Sequence, residues 1–98
     1  IWGDNGSYYR VVENYPDGSQ LAEVVLFLGS VPPDLVVKLE IFVAGVFFED
    51  GTRLRDLTAA DFDEDGVCRI RFLRSAGITT SVCHYTRFYQ GGVKIGSL

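Results

Sequence analysis

The side chains best placed to do chemistry lie in Ala60-Asp61-Phe62-Asp63-Glu64-Asp65-Gly66. Asp61, Asp63 and Asp65 alternate and are closed by a glycine, an arrangement in which many loops present oxygens to calcium. An EF-hand requires a bidentate glutamate at the twelfth loop position and a helix after it. Counted from Asp61, the twelfth residue is Phe72, and 67–73 alternates like a strand. The EF-hand is excluded. A calcium loop of another kind, recruiting Glu64, Asp56 or Glu49 beside the three aspartates, competes with a solvent-exposed turn. In the turn, Asp65-Gly66 supplies a positive φ and the carboxylates keep a sheet edge soluble. The turn is the preferred reading.

Cys68 and Cys83, with the one histidine His84, fall short of the four ligands of a structural zinc site. Cys83 and His84 are adjacent, so in a strand they point to opposite faces and aim poorly as a nucleophile and its base. Gly91-Gly92 opens no helix and builds no phosphate loop. No spacing singles out a pair of carboxylates for acid–base work. No catalytic residue is assigned, and the chain is expected not to be an enzyme.

Whether the two cysteines meet depends on the elements that carry them. Turn residues recur at short intervals, and the segments between are rich in β-branched and aromatic residues, the pattern of an all-β domain. The segment 8–15 runs into Pro16-Asp17-Gly18-Ser19, where Pro presets φ and Gly takes the positive one. The returning segment 20–28 is the one helix candidate, since Asp17 and Gln20 have capping-box spacing. A strand is preferred there because Val24 to Leu28 is short and Gly29 and Pro32-Pro33 follow. In 35–48 the charges Lys38 and Glu40 sit two apart, so a strand gathers them on one face and turns Leu35, Val37, Leu39, Ile41 and Val43 to the core. Gly45 marks a bulge or bend, and Asp50-Gly51 reads as a hairpin turn into 53–57. The segment 58–62 reads as a loop or one helical turn.

The segment 67–73 places Cys68, Ile70 and Phe72 on one face and Arg69 and Arg71 on the other. A turn at Arg74-Ser75-Ala76-Gly77 would pair it with 78–89 and set Cys68 opposite Cys83, at ~5 Å between Cα atoms, which a disulfide spans. A one-residue slip destroys that register. A disulfide and two reduced buried thiols therefore remain alternatives, and only the disulfide implies an oxidising compartment.

Ninety-eight residues, 47% of them hydrophobic, suffice for one packed domain spanning 1–98. The longest apolar run, 41–48, is far short of the roughly 20 residues of a membrane-spanning helix. The chain starts at Ile1 and holds no methionine, which suggests a processed chain or a piece of a longer one. Residues 1–65 hold all 13 carboxylates against Arg10, Lys38, Arg53 and Arg55. Residues 66–98 hold Arg69, Arg71, Arg74, Arg87 and Lys94 with no carboxylate. Pairing between the two parts within the fold is the expected outcome. The alternative is a basic, aromatic face of Tyr85, Arg87, Phe88 and Tyr89 for an acidic protein partner. A pI near 4.8 argues against nucleic acid.

The stretch "EDGTRLRDLTAADFDEDGVCRIRFLRSAGITTSV" resembles the middle of transthyretin-like and carboxypeptidase-regulatory-like modules. The matching features are Asp50-Gly51, the turn from Asp63 to Gly66, the alternating Ile70 to Phe72, and Ala76-Gly77 before the next strand. Asp56-Leu57 stands where such modules place a Gly-Ala pair. "TRFYQGGVKI" is similar to a strand–turn stretch of Rho GDP-dissociation inhibitors, whose sandwich holds a prenyl group. The first resemblance implies an Ig-like antiparallel β-sandwich of about seven strands, non-catalytic and serving rigidity, adhesion or assembly. An α+β domain with a helix near 19–28 is the alternative fold. The expected function is a protein-interaction or structural module of a larger surface, secreted or viral protein, in an extracellular or surface setting, with self-association left open. The alternative is a carrier of an apolar ligand, or of calcium at 61–65.

Overall fold

The first ribbon is set by turn chemistry. Gly18 takes φ +90°, Tyr15 and Ser19 close the loop through Tyr15 N–H to the Ser19 carbonyl at 2.9 Å, and Asp17 Oδ1 accepts from the Ser19 amide at 2.8 Å. The strands joined are β1 (Gly6–Asn14) and β2 (Gln20–Phe27), antiparallel, with a bulge between Val11 and Glu13. This is a computed structural model that describes residues 5–78 and 84–98, His84 and Tyr85 by their backbone alone.

Six further strands follow: β3 (Leu35–Ile41), β4 (Val46–Phe48), β5 (Leu54–Thr58), β6 (Val67–Arg74), β7 (His84–Gln90) and β8 (Val93–Ser97), with one 3-10 turn at Ala59–Asp61. They form two four-stranded antiparallel sheets, ordered β1-β2-β6-β4 and β5-β3-β7-β8. The fold is an all-β sandwich. The helix near 19–28 is not formed: β2 is strand throughout and buried on both faces from Leu21 to Leu26. Burial on both faces removes the alternation that would have marked it as a strand.

Between the sheets, Ala22, Val24 and Leu26 of β2 meet Phe72, Ile70 and Cys68 of β6 across the register, and Leu35, Val37, Leu39 and Ile41 of β3 face them from the second sheet. The expected inward set is observed from Leu35 to Ile41, whereas Val43 lies beyond the strand and packs half-buried against the core. The segment 35–48 is not one strand, however. The chain leaves the second sheet after Ile41, turns at Gly45 with φ +83°, and β4 joins β6 in the first. That break yields eight strands among the described residues where about seven were expected. Asp50-Gly51 does turn tightly, with Phe48 N–H donating to the Thr52 carbonyl at 2.8 Å. Its two arms pair with different sheets, so it is a crossover and no hairpin ladder follows.

The pairing expected between 67–73 and 78–89 is not made by its described strand, 84–89; residues 79–83, which would have opposed Cys68, lie outside the described residues. β6 lies between β2 and β4, while β7 lies between β3 and β8, so the connection changes sheets. Cys68 is opposed by Leu26.

Two turn aspartates are held ionised. Asp17 has its carboxyl lowered by the Ser19 hydroxyl first and the Ser19 amide next. Asp50 is lowered first by the Thr52 hydroxyl, then by the Thr52 amide, with Arg55 adding a smaller share. Because the folded values lie below the unfolded one of ~3.9, their contribution is fully present above that pH and is lost as pH falls through the folded values. An acid titration followed by the Ser19 and Thr52 amide resonances is expected to show midpoints below ~3.9.

Candidate functional site

At the acidic turn, sequence and geometry agree on local structure. Thr58 and Asp61 form a capping box over the 3-10 turn, with the Thr58 amide 2.8 Å from Asp61 Oδ2. Asp63 Oδ1 accepts from the Asp65 amide at 2.9 Å and the Val67 amide at 3.0 Å. Gly66 takes φ +79°, as expected for the turn. The carboxylates of Asp61 and Asp63 are therefore bonded to backbone, and no group of three potential metal donors gathers among the described residues. A shallow pocket of about 260 Å³ lies beside the turn, lined by Leu28, Gly29, Ser30 and Val31 and by residues 63–66. Asp61, Asp63 and Asp65 act as turn and cap residues here.

Cys68 is a buried free thiol on the inner face of β6. Burial, reinforced by the nearby Asp61 charge, pushes it up to about 11. A thiol held so firmly protonated is a poor nucleophile and packs as a small apolar side chain. Cys83, and with it the disulfide expectation, lies outside the described residues.

The expected patch on β7 divides by parity. Arg87 opposes Lys38, Tyr89 opposes Val36, and the backbone of Tyr85 opposes Glu40, all on the outer side of β3. The side chain of Tyr85 lies outside the described residues. Phe88 opposes Val37 and is 0% exposed, so it belongs to the core and not to a contact surface. Arg87 is half-buried and its guanidinium lies 3.6 Å from Glu40. That pair, with Arg71 to Glu23 at 3.5 Å, joins the basic C-terminal part to the acidic N-terminal part within the fold. Arg87→Glu would remove the cation and set two carboxylates together at a site about one-third exposed. Unfolding by urea is expected to show a loss of about 1–2 kcal/mol.

The surface that sequence reading passed over is the outer face of the first sheet. Register places on it Tyr8, Arg10 and Glu13 of β1, Leu21, Glu23, Val25 and Phe27 of β2, Arg69, Arg71 and Leu73 of β6, and Phe47 of β4. The outward side of a sandwich is ordinarily polar. This one leaves Tyr8 51%, Leu73 40%, Phe27 37% and Phe47 37% exposed. At its centre, Glu23 is only 5% exposed and lies between Arg10 at 3.8 Å and Arg71 at 3.5 Å. The two guanidiniums neutralise the carboxylate and shield it from water. Arg69, exposed opposite Val25, forms no ion pair among the described residues. The signal in the sequence was the apolar run Val24–Phe27 in β2, which is too rich for a strand with one buried face.

Comparison with protein-family models, with curated proteins and with solved structures finds no match for this chain.

Proposed function

We propose that this chain is a non-catalytic interaction module that binds a protein partner through the outer face of β1, β2, β6 and β4. The observation that carries the reading is the exposure of Tyr8, Phe27, Phe47 and Leu73 on a single face. Apolar side chains gathered on one surface mark an interaction site, whereas scattered ones do not. Arg69 adds a cation that forms no ion pair among the described residues and favours a partner with carboxylates beside its apolar contacts. The resemblance to transthyretin-like and carboxypeptidase-regulatory-like modules, with their Ig-like sandwiches, supports the same assignment to rigidity, adhesion or assembly within a larger surface, secreted or viral protein. A carrier of an apolar ligand draws less support, because Phe48, Phe72 and Phe88 are fully buried between the sheets.

The test is a comparison of faces. Phe47→Asp combined with Leu73→Asp is expected to weaken partner binding by about thirtyfold or more, the effect of losing an apolar anchor. Leu54→Asp, at an exposed position on the other sheet, is expected to leave binding unchanged. Undiminished binding by the double variant, with its melting temperature intact, would sink the proposal.

A further inference from the structure

The edge of the first sheet carries an inference separate from its face. β1 is nine residues long, has β2 on one side, and has no strand on the other among the described residues. The remaining edges are short: β4 has three residues, β5 five and β8 five. Short edges and bulges deny a foreign strand its ladder. β1 has a bulge only beyond Val11, which leaves Gly6 to Val11 in unbroken register with β2. Within that run Tyr8, Tyr9 and Val11 are exposed.

We propose that β1 pairs antiparallel with β1 of a second copy about a two-fold axis at Tyr9, joining two four-stranded sheets into one continuous sheet. The choice of a second copy follows from the fit of β1 to itself. An axis at Arg10 would oppose two guanidiniums, which repel. An axis at Val11 or beyond runs across the bulge, and one at Tyr8 uses fewer residues of the regular run. The axis at Tyr9 sets Tyr8 opposite Arg10 of the second copy, twice by symmetry, and Ser7 opposite Val11. Tyr8 and Arg10 both lie on the outer face, and Ser7, Tyr9 and Val11 on the inner one, so every opposed pair shares a face. A guanidinium beside a phenol ring is a favourable cross-strand pair. The charges of β1, Arg10 and Glu13, cancel, so the net charge of −4 is not concentrated at this edge.

Sedimentation equilibrium of the purified chain across a concentration series reads the pairing without any other partner. The wild-type chain is expected to reach a dimer. Tyr8→Arg opposes guanidiniums at both symmetry-related positions and is expected to weaken the dimer by about tenfold. Tyr8→Glu places a carboxylate opposite each Arg10 and is expected to tighten it. Hydrogen exchange is expected to slow with concentration at β1 amides and not at β4, β5 or β8. A monomer at every concentration, a shift of both variants in the same direction, or protection at another edge overturns the proposal. Because Phe47 and Leu73 lie away from this edge, loss of binding by their variant and loss of the dimer are separate results.

Discussion

Phe88→Ala is expected to lower the melting temperature by about 12–40 °C, corresponding to a loss of about 3–5 kcal/mol in a domain of this size. Phe88 is 0% exposed and joins the core cluster that includes Val37, Phe48 and Phe72. Removing its ring deletes transfer free energy and leaves a cavity between two sheets that cannot close without moving a strand. The neighbouring Thr86 hydroxyl is buried with no hydrogen-bond partner among the described residues. Tyr89→Ala, one residue on and on the outer side, is expected to cost less than about 1 kcal/mol. Differential scanning calorimetry of the two variants separates core from surface. Similar small effects in both would place Phe88 outside the core and contradict the register of β7.

Gly66→Ala is the second large effect, expected at about 2–5 kcal/mol. Gly66 has φ +79°, and a Cβ there would run into the Leu28 carbonyl, which is backbone. The left-handed conformation costs a non-glycine residue roughly 1–2 kcal/mol. Overpacking against a fixed neighbour adds about 1–3 kcal/mol. The neighbour cannot yield cheaply, because Leu28 N–H donates to the Gly66 carbonyl at 2.9 Å and ties the two loops together. Gly51 is the matched control. Its φ is +85°, yet nothing lies within 4 Å of the added carbon. Gly51→Ala is therefore expected to cost only the conformational share, about 1–2 kcal/mol. Urea unfolding of both variants measures the difference, and equal losses would show that the contact with Leu28 contributes nothing.

The candidate surface was only partly legible. Parity along β7 already separates Phe88 from Tyr85, Arg87 and Tyr89, since alternate residues of a strand face opposite ways. Grouping all four as one patch ignored that period. The outer face of the first sheet could not be assembled before the strand order was known. Tyr8, Phe27, Leu73 and Phe47 lie on four strands scattered through the chain. Each alone is an ordinary exposed hydrophobic, and only their register places them on one face, Phe47 beside Leu73 and Tyr8 toward the Phe27 end, with the Arg10–Glu23–Arg71 row between.

What the chain specified locally is its class, its turns and most of its strands. The positive φ of Gly18, Gly51 and Gly66, the cap of Thr58 by Asp61, and the alternation of β3 and β6 depend on neighbours within a few residues, so they can be read in order. Tertiary structure decided which strands share a sheet. Gly45 could bend one strand or release two, and Arg74 to Gly77 could close a hairpin or a crossover. In each case the local turn energetics are similar. The choice is made by apolar area buried between segments far apart in sequence, such as Leu26 against Cys68 and Val37 against Phe88.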